Sequence, residues 1–420
     1  MKYQAPRGTE DLIPGQSQIW VWLEEQFRQV CRLYGYEEIR TPTFEDTELF
    51  FRGLGEGTDI VSKETYTFLD RGGRSITLKP EGTAGAVRAF IEHNLGASGQ
   101  ISRLFYITPI FRYERPQKGR LRESHQVGIE LLGSESPEAD AEVIDLTLRW
   151  YKTIGLSDVS IKLNSLGMEL CRGKYREALL EFAKPILADM GDEFRDKCIK
   201  NPLRLLDSKD EKLREAMQSA PKLSEFWEPE TKQHHETLES LLNELQIPFS
   251  IDFKLVRGLD YYTKTVFEVH SDQIGSQSAL CGGGRYDGLV KECGGPDTPA
   301  VGVAMGIERA FMALEATNSL RKQFQTPDTF AVCITENRER FFSIVTQIRN
   351  AGISVIVDTN FRSAKSQFRQ ADSSGAKFAI VVGDEELASG HVKLKDLKTG
   401  EEAMYSVAEV VVVVQASAVQ

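Results

Sequence analysis

Between Ser124 and Leu131 the chain alternates with a period of two. Ser124, Gln126, Gly128 and Glu130 fall on one face of an extended strand, and His125, Val127, Ile129 and Leu131 fall on the other. A carboxylate and an amide cannot be turned into an apolar core without partners, so the polar face must line a site. A second strand-like run, Leu104–Tyr113, precedes it, and the intervening Glu114–Glu123 is turn-rich and contains Arg-Pro-Gln-Lys-Gly-Arg. Two such runs joined by one loop pair antiparallel, with a basic loop at their end.

The remaining elements follow from periodicity. Ile19, Leu23, Phe27, Val30 and Tyr34 recur at helical spacing across Gln16–Tyr34, and Gly35 follows where a C-terminal cap is expected. Residues 167–248 are rich in Leu, Glu and Lys at helical spacing and predict a helical insertion between sheet strands. Apolar content drops over Ala316–Thr329, which is the best linker. Beyond it, short apolar runs (Phe330–Ile334, Ser354–Val357, Phe378–Val382 and Val410–Val414) alternate with helical stretches around Arg338–Asn350 and Ser363–Ser374, predicting a small α/β domain. The expected division is therefore 1–320 and 328–420, consistent with a 420-residue chain too long for one core.

Several function classes are excluded early. A formal charge of −11 argues against a protein that coats nucleic acid through its whole surface, although a local basic groove is enough for RNA. The six cysteines show no C-x-x-C and no metal-ligand spacing with histidine, and read as reduced, mostly buried thiols. No apolar window is long enough for a membrane span and the N-terminus has no apolar leader, so the expectation is a cytoplasmic protein with no membrane partner. There is no G-x-x-x-x-G-K-[ST] loop and no dinucleotide fingerprint, so any polyphosphate would have to be held by arginines.

Three stretches supply them. Arg112 stands at a strand end beside Arg115, Lys118, Arg120 and Arg122, Arg257 lies within an apolar run, and Arg309 opens a helix. Guanidinium binds phosphate bidentately and does not titrate away, so together they could clamp a phosphate chain. For Arg257 an ion pair with Asp260 or a neighbouring glutamate is an equal alternative. Glu81 sits at a turn ahead of a helical run, where it could meet a cationic amine or simply stabilise the helix N-terminus. Tyr261, Tyr262 and Tyr286 could be core aromatics or pocket walls.

At this point the chain resembles the histidyl-tRNA synthetases over nearly its whole length. Arg7-Gly-Thr-Glu-Asp-Leu-Ile-Pro14 looks like the family's N-terminal signature. Phe111 through Glu130 looks like motif 2 of class II aminoacyl-tRNA synthetases, and Gly302 through Arg309 looks like motif 3. Leu255-Val-Arg-Gly-Leu-Asp-Tyr-Tyr262 and Gly283-Gly-Arg-Tyr-Asp-Gly-Leu289 resemble the two histidine-specific signatures. The resemblance implies an α+β catalytic domain, class II synthetase-like, with an antiparallel sheet flanked by helices. It also implies a helical insertion, a C-terminal α/β anticodon-binding domain and a homodimer.

The implied reaction joins L-histidine and ATP to histidyl-adenylate, then transfers the histidyl group to the 3′-end of tRNA(His). By motif position Arg112 and Arg257 are the catalytic residues. Glu114, Arg120 and Arg309 complete the ATP site with Arg112, and Mg²⁺ is held mainly by the ATP phosphates rather than by protein ligands. Glu81, Thr83 and Gln126 would face the α-amino group of histidine, with Glu130, Tyr262 and Tyr286 around its imidazole, and Gln117 would meet the acceptor end of tRNA. Where the family usually carries an aromatic stacking platform for adenine, this chain has Ser124, and losing such a stack weakens binding by roughly 1 to 3 kcal/mol unless another group replaces it. The alternative is a non-catalytic paralogue serving as regulatory subunit of ATP phosphoribosyltransferase. Such paralogues generally lack the anticodon-binding domain and several motif arginines, which this chain retains.

Overall fold

A computed structural model describes residues 3–54, 63–97, 99–115, 120–188, 190–200, 202–205, 211–256, 259, 261–273, 278–317, 319–320 and 326–418. The chain divides into two compact units, residues 1–322 and 323–420. The first unit contains β1 (Glu37–Glu38), β2 (Phe44–Asp46), β3 (Tyr66–Leu69), β4 (Ser75–Leu78), β5 (Ser102–Phe111) and β6 (Glu123–Leu132). It continues with β7 (Ser160–Ser165), β8 (Phe249–Ile251), β9 (Thr263–His270), β10 (Ala279–Arg285) and β11 (Ala300–Gly306). Eight of these form one sheet in the order β1-β5-β6-β11-β10-β9-β7-β8. Its six central strands are antiparallel, and only the short edge strands β1 and β8 pair in parallel.

The alternation along β6 sets the two faces of this sheet. Val127, Ile129 and Leu131 join Phe105, Val301, Val303, Met305, Phe267 and Val269 on the face covered by helices Gln16–Leu33, Pro137–Ile154, Pro229–Glu244 and Ile307–Ala316. The helix Gln16–Leu33 buries Trp20, Leu23, Phe27, Val30 and Cys31; of the stripe its spacing predicts, Leu23, Phe27 and Val30 are buried and Ile19 and Tyr34 only partly so. It stops in a Schellman motif, with Gly35 at φ 75°, Tyr36 N–H donating to Cys31 O at 3.0 Å and Gly35 N–H to Arg32 O at 3.2 Å. The opposite face carries Gln126 and Glu130 and meets helix Thr83–Glu92 and the tyrosines that follow β8 and β10. Between β7 and β8 the chain is helical, with Glu169–Ala188, Asp192–Lys200, Glu211–Ala216 and Pro229–Glu244. All six cysteines are free, five of them buried.

The second unit has β12 (Thr329–Cys333), β13 (Val355–Val357), β14 (Phe378–Val382), β15 (His391–Asp396) and β16 (Glu402–Ser406), in the order β13-β12-β14-β15-β16. The first three strands pair in parallel and β14, β15 and β16 antiparallel, around a core of their own. The expected strand at Val410–Val414 is instead part of a helix, Val407–Ala418. A capping box overrides the β-branched run. Ser406 N–H donates to Glu409 Oε2 at 2.8 Å, Glu409 N–H donates to Ser406 Oγ at 3.3 Å, and Val410 and Val414, one turn apart, then bury together. The strands β15 and β16 were not anticipated.

Candidate active site

Helix Thr83–Glu92 begins against the polar face of β6, and its start is tied down by the residues the sequence singled out. Glu81 accepts the N–H of Thr83 at 2.7 Å and of Ala84 at 2.8 Å, one on each carboxylate oxygen, so it caps the helix from a fully buried position. Gln126 Oε1 accepts Gly82 N–H at 3.0 Å, joining the turn to the strand. Burial pushes the Glu81 carboxyl above its usual range, against the pull of Ala84, Thr83 and the nearby charge of Arg112. Arg112 itself is anchored by its Nε to Pro80 O at 2.7 Å, which sets the strand-end guanidinium beside Glu81.

Two residues along β6 from Gly128, Glu130 is also fully buried. Tyr106 on β5 donates to its Oε1 at 3.1 Å, and Tyr286 donates to its Oε2. The Tyr286 ring stacks edge-on against Tyr261 at 5.6 Å, and Tyr261 lies 4.6 Å from Tyr262, so the three tyrosines form one continuous wall. Burial pushes Glu130 up to about 8; the hydroxyls of Tyr286, Thr83 and Tyr106 oppose this, and Glu81 adds to it. Two acids in one dry pocket repel, and a cationic ammonium together with a ring N–H would relieve both. Tyr106 escaped the sequence reading, where it stands as one apolar residue in an apolar run.

Space for this cluster comes from glycine. A Cβ on Gly82 or Gly128 would fall 2.3 or 2.4 Å from the Tyr106 ring, and one on Gly302 would fall 2.0 Å from Glu130 Oε2. Gly302 pairs directly with Glu130 across β11 and β6, so strand register brings the glycine of motif 3 under the carboxylate of motif 2. Behind Tyr286, Arg285 is fully buried and donates to Asp140, to Ser134 O at 2.7 Å, to Ser136 O at 2.9 Å and to Asp287 at 3.1 Å. Asp140 also has His234 Nε2 at 3.4 Å.

At the other end of the strands, Arg309 donates to Ala279 O at 2.5 Å, and Arg120 lies 3.5 Å from Glu114. Burial and the like charge of Arg120 hold the Arg309 guanidinium below its usual range, with Glu114 and Glu268 opposing, so the arginines of motifs 2 and 3 converge. An exposed cation beside a partly buried one is what a polyphosphate would stabilise. Glu114 Oε2 is buried with the Arg120 guanidinium 3.5 Å away and, among the described residues, accepts no hydrogen bond, which suits an adenine amino donor. Glu308, next to Arg309, accepts from the backbone N–H of His125 at 2.8 Å and faces His125 Nδ1 at 3.0 Å, locking motif 3 onto β6. Ser124 pairs with Ile110 on β5. Arg257 and Gln117 lie outside the described residues.

An antiparallel sheet flanked by helices, with buried Glu81 and Glu130 on its polar face and the arginines of motifs 2 and 3 near its strand ends, is the architecture of a class II aminoacyl-tRNA synthetase. The family model for histidyl-tRNA synthetase matches residues 8–310, and that for the anticodon binding domain matches residues 329–417. A histidine–tRNA ligase of Caldanaerobacter subterraneus subsp. tengcongensis is 47% identical over 411 residues, covering 98% of this chain and 99% of the relative. One from Halalkalibacterium halodurans is 46% identical over 415 residues, covering 98% and 97%. The crystal structure of the apo S. aureus histidyl-tRNA synthetase superposes with a TM-score of 0.82 at 36% identity, covering 97% of this chain and 98% of that one. The chain belongs to the histidyl-tRNA synthetase family.

Proposed function

We propose that the chain is a histidine–tRNA ligase, which activates L-histidine with ATP and esterifies the histidyl group to the 3′-end of tRNA(His). Full-length similarity to histidine–tRNA ligases supports this over the regulatory-subunit alternative. The observation that carries the amino-acid assignment is the buried pair Glu81 and Glu130, walled by Thr83, Gln126, Tyr262 and Tyr286. Glu81 and Gln126 receive the α-ammonium, and Glu130 accepts an imidazole N–H. A polar site rejects analogues that lack the matching donor because its own groups are then left unpaired.

In the first step the histidine carboxylate oxygen attacks the α-phosphorus of ATP and pyrophosphate leaves. Arg112 and Arg257 stabilise the charge that develops on the α-phosphate oxygens, and Arg120 and Arg309 hold the outer phosphates. Glu114 takes the adenine amino group. In the second step the tRNA 3′-terminal hydroxyl, steered by Gln117, attacks the acyl carbonyl and AMP leaves. Mg²⁺ would be held mainly by the ATP phosphates rather than by protein ligands, and would supply charge neutralisation for the pyrophosphate.

The protein acts in the cytoplasm as a homodimer. Among the described residues no helix is long and apolar enough to cross a membrane. The three-stranded sheet β2-β4-β3 exposes Phe44, Phe68 and Leu69, apolar surface that a second copy would cover. Histidine-dependent exchange of pyrophosphate into ATP, without tRNA, tests the activity, since a regulatory paralogue or an RNA-binding protein would show none. Arg257→Ala should slow that exchange by about 10²- to 10³-fold, and near-normal exchange in this variant would remove Arg257 from the mechanism.

A further inference from the structure

The Glu130 carboxylate is gripped from both sides by phenols. Tyr106 donates to Oε1 at 3.1 Å and Tyr286 to Oε2, and all three side chains are buried. The position of Tyr106 is built rather than incidental, because Gly82 and Gly128 give up their side chains to let its ring lie across them. Phenylalanine would fill the same slot with no hydroxyl to satisfy. The hydroxyl therefore has a use: it donates to Glu130, with the Thr83 side chain also in hydrogen-bond reach of it.

We infer that Tyr106 is a positioning residue for histidine recognition, whose hydroxyl favours the Glu130 carboxylate form and orients it to accept the imidazole N–H of the substrate. The inference rests on the reading of Glu130 as the imidazole partner. Among the described residues, the groups that face Glu130 are Glu81 ahead of helix Thr83–Glu92, Thr83 at its start, Tyr106 on β5, and Tyr286 after β10 with Tyr261 stacked on it. β11 presents only Gly302. Burial and Glu81 favour the protonated acid, and the hydroxyls of Tyr286, Thr83 and Tyr106 favour the carboxylate. Burial holds the two phenols themselves well above their usual range, so they stay protonated donors. A protonated Glu130 is a poor acceptor. Histidine capture should therefore improve as pH rises through the titration of Glu130, at about 8 in the free pocket. The substrate imidazole, titrating near roughly pH 6.5, is by then neutral. Removing one hydrogen bond to the ionised form moves that titration upward by about one unit.

The test is kcat/KM for histidine, measured by pyrophosphate exchange at saturating ATP across roughly pH 6 to 10, for the full chain, Tyr106→Phe and Glu130→Gln. Phenylalanine keeps the ring in its slot, and a thermal melt checks that the variant is folded. The wild type should rise through a titration that Glu130→Gln lacks. Tyr106→Phe should show the same titration about one unit more alkaline, approaching the wild-type value at the top of the range. A Tyr106→Phe profile lowered equally at every pH, with its midpoint unmoved, would overturn the inference while leaving Glu130 in the pocket. A wild-type profile without a titration that Glu130→Gln removes would instead refute the assignment of Glu130, and the inference would fall with it.

Discussion

Asp140→Asn removes one charge from a pair in which both side chains are 0% exposed. Asp140 comes from helix Pro137–Ile154 and Arg285 from the end of β10, so the pair joins a core helix to the strand that leads into Tyr286. Breaking a buried pair typically costs about 3 to 5 kcal/mol, because the surviving charge is left without compensation. Here Asp287 remains 3.1 Å from Arg285, and the carbonyls of Ser134 and Ser136 still accept from it, so the lower end applies. For a unit of this size about 3 kcal/mol corresponds to a fall in melting temperature of roughly 5 °C. Calorimetry should show that fall in the transition of the first unit.

The acid limb gives a second check with a fixed sign. Burial alone would raise the Asp140 carboxyl, but Arg285 and His234 hold it below its usual range. Its contribution is present above the unfolded carboxyl value, near roughly pH 3.9, and is lost as pH falls through the lower folded value. The wild-type advantage should therefore be constant near neutrality and shrink on acidification. A variant that melts with the wild type at neutral pH, or a gap that does not close in acid, would refute the reasoning.

Gly302→Ala forces a Cβ to 2.0 Å from Glu130 Oε2, so it should raise the KM for histidine by more than about tenfold and cost roughly 1 to 3 kcal/mol of stability; exchange kinetics with histidine and with ATP varied separately would show the effect confined to histidine. The hydrogen bond from His125 to Glu308 raises the His125 pKa, a contribution fully present below the unfolded value and lost as pH rises through the folded one. Glu308→Gln should lower that pKa, read from the imidazole proton resonances, and raise the KM for ATP severalfold through Arg309. A chain ending at residue 322 should keep histidine-dependent exchange but charge tRNA(His) poorly, measured by aminoacylation of the transcript.

The polar face of β6 was legible because a period of two leaves no freedom: once Val127, Ile129 and Leu131 face the core, Gln126 and Glu130 must face the site. Helix Gln16–Leu33 and its glycine stop were legible for the same reason of period. Tyr106 was not, because a tyrosine in an apolar strand reads as core until the register sets Gly128 opposite it. Asp140 and Arg285 are 145 positions apart, and nothing local to either announces the other. For Val410–Val414 the signal was present in Ser406 and Glu409, a capping-box spacing that outweighs the β preference of valine. For Glu81 the structure shows the helix N-terminal reading, with the carboxylate accepting the N–H groups of Thr83 and Ala84.

Gly82, Gly128 and Gly302 leave bare main chain beneath the Tyr106 ring and the Glu130 carboxylate. Any substitution at these three positions adds atoms, so a gradual drift toward a bulkier or smaller amino acid has no route through them. A change of preference must go instead through Glu130, Tyr106 or Tyr286, where altering one member strands the other two.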